Sequence, residues 1–136
     1  MKKLRHYGKS ATSREEWAKT IRTDREPFDA GAMTGRAYLS STGDLPEPYK
    51  SQLRYARPDY VVYSYRTPIA WHDSVTDRWT VPNVNYSLTT TGHQRTVSMA
   101  VDTWNGERWA HDYDTGPAVN LRTGQGRSPY GERVGY

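Results

Sequence analysis

The chain has 136 residues, with 19 lysines and arginines against 15 aspartates and glutamates, and it contains no cysteine. This length allows one domain, and the lack of cysteine excludes disulfide frameworks, thiolate catalysis and cysteine-ligated zinc. Only 18 residues are Leu, Ile, Val or Phe, whereas 5 are tryptophan and 11 are tyrosine, so we expect a core built largely from aromatic rings.

The excess of positive charge lies at the two ends of the chain. Residues 1–26 carry eight basic and four acidic side chains, whereas residues 27–114 carry eight and ten. We predict a basic N-terminal arm over residues 1–12, a single α+β domain over residues 13–114 and a flexible tail rich in Gly, Arg and Tyr over residues 115–136. A polyanion would then contact the ends of the chain rather than its body.

Hydropathy gives no sign of a membrane segment. No apolar run is long enough for a span, and the basic start of the chain is not followed by the apolar stretch of a signal peptide. We therefore expect no membrane partner and a cytoplasmic protein.

The first predicted element is a helix over residues 13–23. Ser13 and Glu16 have the spacing of a capping box, in which each side chain bonds the backbone amide of the other residue. Behind them, Trp17 and Ile21 lie four residues apart and share one helical face.

A strand and a second helix follow. Residues 28–45 place several small residues among larger apolar ones and predict a strand followed by a turn. The second helix begins at the prolines of residues 46–48, because proline suits a first helical turn. Its apolar Tyr49 and Leu53 recur at helical spacing, and Pro58 ends it.

The strongest pattern is the aromatic and β-branched run over residues 59–72, read as one extended strand. One side of that strand is expected to form core and carries Val61, Tyr63, Tyr65, Ile69 and Trp71. The other, more polar side carries Tyr60, Val62, Ser64, Arg66, Ala70 and His72. Residues 73–77 predict a hairpin loop before a return strand over residues 78–81, and a bulge at residues 82–83 would explain why apolar positions then switch from odd to even.

A third helix is predicted to begin at Thr91, with Gln94 completing a second capping box. Its buried face would hold His93, Val97, Ala100, Val101 and Trp104, and residues 107–111 predict a last short strand. The order of elements indicates an α+β fold, in which a small antiparallel aromatic-rich sheet with a central hairpin packs against about three short helices.

Residues 63–72, 79–82 and 86–94 together resemble a known pattern. They are similar to a small domain of unknown function found in actinobacterial phages, prophages and plasmids. The resemblance implies a phage or mobile-element accessory protein that acts inside a bacterial host cell. It transfers no catalytic residue, because none is defined for that domain.

Histidines beside carboxylates raise the question of a metal site. Asp73 follows His72, two aspartates follow His111 within three positions, and His93 would add a third imidazole. The spacings match no metal-binding motif, and adjacent side chains of a strand point to opposite faces. We expect His72 and His93 to lie close together, buried among tryptophans, with ring nitrogens bonded to backbone or hydroxyl groups. No cofactor and no enzymatic activity are predicted, and a metal-dependent hydrolase is the most distant alternative.

Two binding functions remain. The leading hypothesis is a non-enzymatic protein that binds a bacterial host protein or nucleoprotein, since aromatic and arginine anchors dominate interfaces. The alternative is RNA or DNA binding through the polar strand side and the basic ends. The candidate contact residues for either partner are Tyr60, Arg66, His72, Arg95, Trp109, Arg122, Arg127 and Tyr130.

Overall fold

The computed structural model describes residues 1–103 and, beyond them, the backbone of three short strands. Over this part of the chain it confirms the predicted α+β class, with a six-stranded mixed sheet and three α-helices. The sheet strands are β1 Lys2–Lys3, β2 Phe28–Ala30, β3 Met33–Arg36, β4 Tyr60–Ser64, β5 Thr67–Asp73 and β6 Arg78–Thr80, in that spatial order. The first pair is parallel, and all the others are antiparallel. The helices are α1 Arg14–Ala18, α2 Tyr49–Ala56 and α3 Leu88–Val101.

A second sheet is antiparallel and pairs β7 Trp109–Ala110, β8 Ala118–Asn120 and β9 Gly126–Arg127 in that order. Strand β7 falls within the strand predicted over residues 107–111. Strands β8 and β9 fall within the segment predicted to be a flexible tail, whose flexibility stays a prediction.

The central hairpin of β4 and β5 is buried on both faces. On one face α1 and α3 cover a cluster that includes Trp17, Tyr60, Val62 and Val97. On the other, α2 contributes to a smaller cluster of Leu45, Leu53, Val61, Tyr63 and Trp71. Neither face of the hairpin is therefore open to solvent, because helices cover the face that the sequence pattern marks as more polar.

The run predicted as one strand over residues 59–72 folds as two strands. Strand β4 ends at Ser64, which pairs with Thr67, and the connecting Tyr65 has a left-handed φ of 56°. The amide of Tyr65 donates to the carbonyl of Ala32 at 2.6 Å. No glycine, asparagine or proline marks this turn, so the aromatic pattern continues through it unbroken.

The predicted bulge lies elsewhere. Val62 pairs with Ala70 and Tyr63 pairs with Pro68, which leaves Ile69 as the extra residue of β5. Residues 82–83 lie beyond the end of β6 and belong to no strand.

The first helix follows the predicted pattern with one difference in its cap. Ser13 caps α1 as predicted, accepting from the Glu16 amide at 3.1 Å, but the Glu16 carboxylate pairs with Lys2 instead of completing the box. A π-helical turn, Lys19–Thr23, continues α1 to the predicted end.

Helix α3 starts earlier than predicted, with Ser87 as its cap rather than Thr91. Its predicted inner face is confirmed, since His93, Val97, Ala100 and Val101 are all buried, whereas Trp104 lies outside the described residues. Helix α2 spans residues 49–56, within the segment predicted for it.

The first residues of the predicted basic arm belong to the main sheet. Strand β1 pairs with Phe28 and Asp29, and the amide of Leu4 donates to the carbonyl of Asp29 at 2.9 Å. The side chain of Leu4 is buried in the larger cluster. This buried side chain, in an otherwise basic stretch, anchors the start of the chain to the domain.

Candidate functional site

Two residues predicted to contact a ligand are core residues instead. Tyr60 and His72 are 0% and 1% exposed, and their rings lie 5.9 and 5.2 Å from that of Trp79. The Tyr60 hydroxyl donates to the carbonyl of Glu26 at 2.7 Å, and burial raises the pKa of Tyr60 well above its usual range. The predicted contact with a ligand through the more polar strand side is therefore wrong, because among Tyr60, Arg66 and His72 only Arg66, in the β4–β5 turn, is exposed.

His72, in β5, forms side-chain contacts with two carboxylates from neighbouring parts of the sheet. Its Nδ1 lies 2.7 Å from Asp59 Oδ1, before β4, and its Nε2 lies 2.9 Å from Asp77 Oδ1, in the β5–β6 loop. The expected backbone or hydroxyl partners of this ring are thus replaced by two acids. These contacts point in opposite directions, and no group of three or more His, Asp or Glu residues within the described residues is arranged to hold a metal ion. His111 lies outside that part of the chain.

His93 lies at the other end of β4 from His72, contrary to the expected proximity of the two rings. Its Nδ1 is 2.7 Å from the hydroxyl oxygen of Ser64, the last residue of β4, whereas His72 pairs with the first residue of that strand. The hydroxyl partner is as predicted for His93. Ser64 is only 2% exposed, so this serine and histidine connect the hairpin to α3.

Five aromatic side chains meet at this end of the sheet, and we call them the ring cluster: His6, Tyr7, Trp17, Tyr65 and His93. The His6 ring is central, with centroid distances of 5.8 Å to Tyr7, 4.9 Å to Trp17 and 5.0 Å to His93. Tyr65 extends the cluster, 6.3 Å from His93. Tyr7 and Tyr65 are 82% and 61% exposed, so the cluster presents rings to solvent at both ends.

Both imidazoles of the ring cluster are poor bases. Burial lowers the pKa of His6, and burial together with the neighbouring His6 lowers the pKa of His93 to about 4. At neutral pH both rings are therefore uncharged and add no positive charge to the cluster. The Nε2 atom of His6 is buried without a hydrogen-bond partner among the described residues.

A cleft of about 370 Å³ opens beside the ring cluster between α1 and α3. It is lined by His6, Thr12, Arg14, Trp17, Arg95, Thr96, Met99 and Ala100. Arg14 and Arg95 are exposed, and neither guanidinium has a carboxylate or hydrogen-bond partner among residues 1–103. Two uncompensated positive charges thus stand next to aromatic rings.

The N-terminal charge excess is displayed on the domain rather than on a separate arm. Four of the eight basic side chains in residues 1–26 pair with acids, namely Lys2, Lys3, Lys19 and Arg25. The other four have no acidic partner within the described part of the chain: Arg5, Lys9, Arg14 and Arg22. Arg5 precedes His6 directly, and Arg14 lines the cleft, so part of this unpaired charge adjoins the ring cluster.

A family model matches residues 2–110, which include the whole ring cluster and both arginines of the cleft. The chain belongs to DUF8033, a family of unknown function. No curated protein and no solved structure matches it. The family match confirms the expected relationship to a domain of unknown function, and it extends well beyond the segments between residues 63 and 94 that suggested it. In the part of this DUF8033 member that the structure describes, no helix is long and apolar enough to cross a membrane.

The remaining predicted contact residues fall into three groups. Arg95 lies in the cleft beside the ring cluster. Arg66 is exposed beside Tyr65, and both residues line a separate depression with Asp44. Trp109 and Arg127 lie in β7 and β9, of which only the backbone is described, and Arg122 and Tyr130 lie outside the described residues.

Sequence reasoning missed His6, Tyr7 and Arg14 and assigned Tyr65 to the core. His6 meets His93 and Trp17 only through the tertiary fold, which no local pattern indicates. Leu4 was the available signal, because an apolar residue within a basic segment favours docking of that segment.

Proposed function

We propose that this protein is a non-enzymatic binding protein whose ligand is single-stranded nucleic acid. The observation that carries the proposal is the cleft in which the unpaired Arg14 and Arg95 lie beside the ring cluster. Proteins that bind single strands combine positive charge, which contacts phosphates, with aromatic rings on which bases stack. Exposed Tyr7 and Tyr65 supply such rings, and the two arginines supply such charge.

The charge distribution favours nucleic acid over a protein partner at this face. Arginine stays charged at all physiological pH values and contacts phosphate through a planar fork of donors. His6 and His93 have lowered pKa values and are neutral at physiological pH. The positive charge of this face therefore comes from the arginines and does not depend on acidic conditions.

The host-protein function expected from the sequence is the second candidate. It is favoured by Tyr55 on α2, which is 88% exposed, and by the exposed Tyr38, since tyrosines of this kind act as interface anchors. In either case we propose a phage or mobile-element accessory role inside a bacterial host cell, in line with the resemblance noted above.

Fluorescence anisotropy of labelled oligo(dT) and oligo(U) with the full chain tests the first candidate. We expect binding that weakens as salt rises. For single strands, each phosphate contact makes the plot of log affinity against log salt concentration steeper by about 0.7. A duplex of the same length should compete poorly, because its bases are already stacked on one another. Undetectable binding to either oligonucleotide at low salt would exclude the proposal.

Pull-down from a bacterial lysate with and without nuclease separates the two candidates. Nucleic acid in the eluate that disappears with nuclease supports the first candidate. A single host protein that is retained after nuclease treatment, and lost when Tyr55→Ala and Tyr38→Ala are combined, supports the second.

A further inference from the structure

A second arginine cleft, of about 620 Å³, lies at the far end of α1 and α3. Three of its residues are arginines, Arg22, Arg25 and Arg78. Its other lining residues are Asp77, Trp79, Val101 and Thr103. This cleft shares no residue with the cleft beside the ring cluster.

Two acids near this second cleft, Asp59 and Asp77, bond the same histidine. Asp59 bonds His72 and also lies 3.5 Å from the Nε of Arg25, and Asp77 bonds the other nitrogen of His72. Arg22 and Arg78 are exposed and have no carboxylate or hydrogen-bond partner in the part of the chain that is described. The guanidiniums of Arg22 and Arg78 are therefore available to contact a phosphate, whereas Arg25 is paired with Asp59.

The backbone around this cleft is held in unusual conformations. Arg25 and Asp77, both in the lining, have left-handed φ values of 46° and 54°. Asp102, which precedes Thr103, has a φ of 52°. Residues other than glycine seldom adopt this conformation, although aspartate does so more often than most, as Asp102 does at the end of α3. Hydrogen bonds hold two of them: the Glu26 amide, next to Arg25, donates to the Thr20 carbonyl, and Asp77 bonds His72.

Both clefts lie along the seam between α1 and α3. Arg14 and Arg95 line the first cleft, whereas Arg22 and Thr103 line the second, each eight residues further along its own segment. At about 1.5 Å per helical residue, eight residues span about 12 Å. At about 3.4 Å per stacked nucleotide, this distance corresponds to about four nucleotides.

We propose that the cleft of Arg22, Arg25 and Arg78 is a second phosphate-binding site, which receives the same single strand after it leaves the ring cluster. This inference rests on the proposed function and specifies its ligand. The ligand is a strand of at least about four nucleotides rather than a mononucleotide, because one nucleotide cannot reach both clefts. Single-stranded DNA and RNA share this chemistry, and both are used as probes below.

The test compares the double variant Arg22→Gln/Arg78→Gln with wild type, using labelled oligo(dT) and oligo(U) of 3 and 12 nucleotides. Arg25 is left in place because it pairs with Asp59. We expect the variant to bind the 3-mers as wild type does, and to bind the 12-mers at least about five-fold more weakly at 50 mM salt, since two phosphate contacts are removed. Equal affinity of variant and wild type for both 12-mers would overturn the inference.

Two further variants make the outcome specific. Lys50→Gln/Arg54→Gln removes the same charge from α2, on the other side of the sheet, and should leave 12-mer affinity unchanged. Arg14→Gln/Arg95→Gln tests the first cleft: if it too binds like wild type, the proposed function fails. If it weakens binding while Arg22→Gln/Arg78→Gln does not, only the second site is excluded. Unchanged circular dichroism and melting temperature show that each variant is folded.

Discussion

The ring centroids of His6 and His93 lie 5.0 Å apart, which fixes the first residues of the chain on α3. The buried Leu4 precedes this contact, and the amide of Arg5 donates to the Thr12 hydroxyl at 2.8 Å. The basic start of the chain is thereby held against the domain. Charge that the sequence places at one end of the chain becomes part of a surface that also carries aromatic rings.

The burial of His93 predicts a loss of stability in acid. Its pKa is about 4 in the folded protein, against 6.5 for an ordinary histidine. Between these values the unfolded chain binds a proton that the folded protein does not, so the free energy of unfolding falls as pH decreases from 6.5 to 4. Thermal unfolding across this range should show the melting temperature declining, and His93→Gln should reduce the decline. An equally steep decline in the variant would contradict this assignment.

Gly35 is predicted to tolerate no side chain. It lies in β3 between β2 and β4, and a methyl group there would overlap the Phe28 ring and the Tyr60 hydroxyl. Because core overpacking typically costs about 1–3 kcal/mol, we expect Gly35→Ala to lower the free energy of unfolding by that amount in urea denaturation.

Gly92 provides the matched control for Gly35. It is exposed in α3, and nothing lies within 4 Å of the position that its Cβ would take. Since alanine favours a helix over glycine by up to about 1 kcal/mol, Gly92→Ala should stabilise the protein slightly. If both substitutions have the same effect, the packing around Gly35 is not as described.

The exposed rings of the cluster should contribute to binding and not to stability. Replacing Tyr7 or Tyr65 by alanine removes a surface on which a base stacks, which is worth about 1–3 kcal/mol per base. We expect weaker binding of 12-nucleotide oligo(dT) in anisotropy measurements, with little change in melting temperature. Tyr55 is also largely exposed but lies on α2, so Tyr55→Ala serves as the control and should bind as wild type does.

Much of the fold was predictable because its signals are local. Ser13 at a helix start, the spacing of Tyr49 and Leu53, and the face that begins at His93 all obey rules that act within a few residues. The turn at Tyr65 was not predictable, because a tyrosine in the left-handed conformation carries no sequence signal. It is held by contacts with distant residues, such as the carbonyl of Ala32.

The candidate site was harder to predict than the fold. The sequence identifies Arg95, but it also places Tyr60 and His72 among the candidate contact residues, since an alternating strand pattern does not reveal that helices cover both faces. Arg14 gains its importance from lying beside His6 and Arg95. That proximity arises from the docking of α1 on α3, which depends on packing across the whole domain.

The most direct test of the proposed function is the salt dependence of 12-nucleotide oligo(dT) binding by the charge-matched variants. Between 50 and 200 mM salt, two phosphate contacts account for about a seven-fold loss of affinity. We predict that Arg14→Gln/Arg95→Gln makes the plot of log affinity against log salt concentration less steep by about 1.4. Lys50→Gln/Arg54→Gln should give the same slope as wild type. Identical slopes for all three proteins would contradict a nucleic-acid site at the ring cluster.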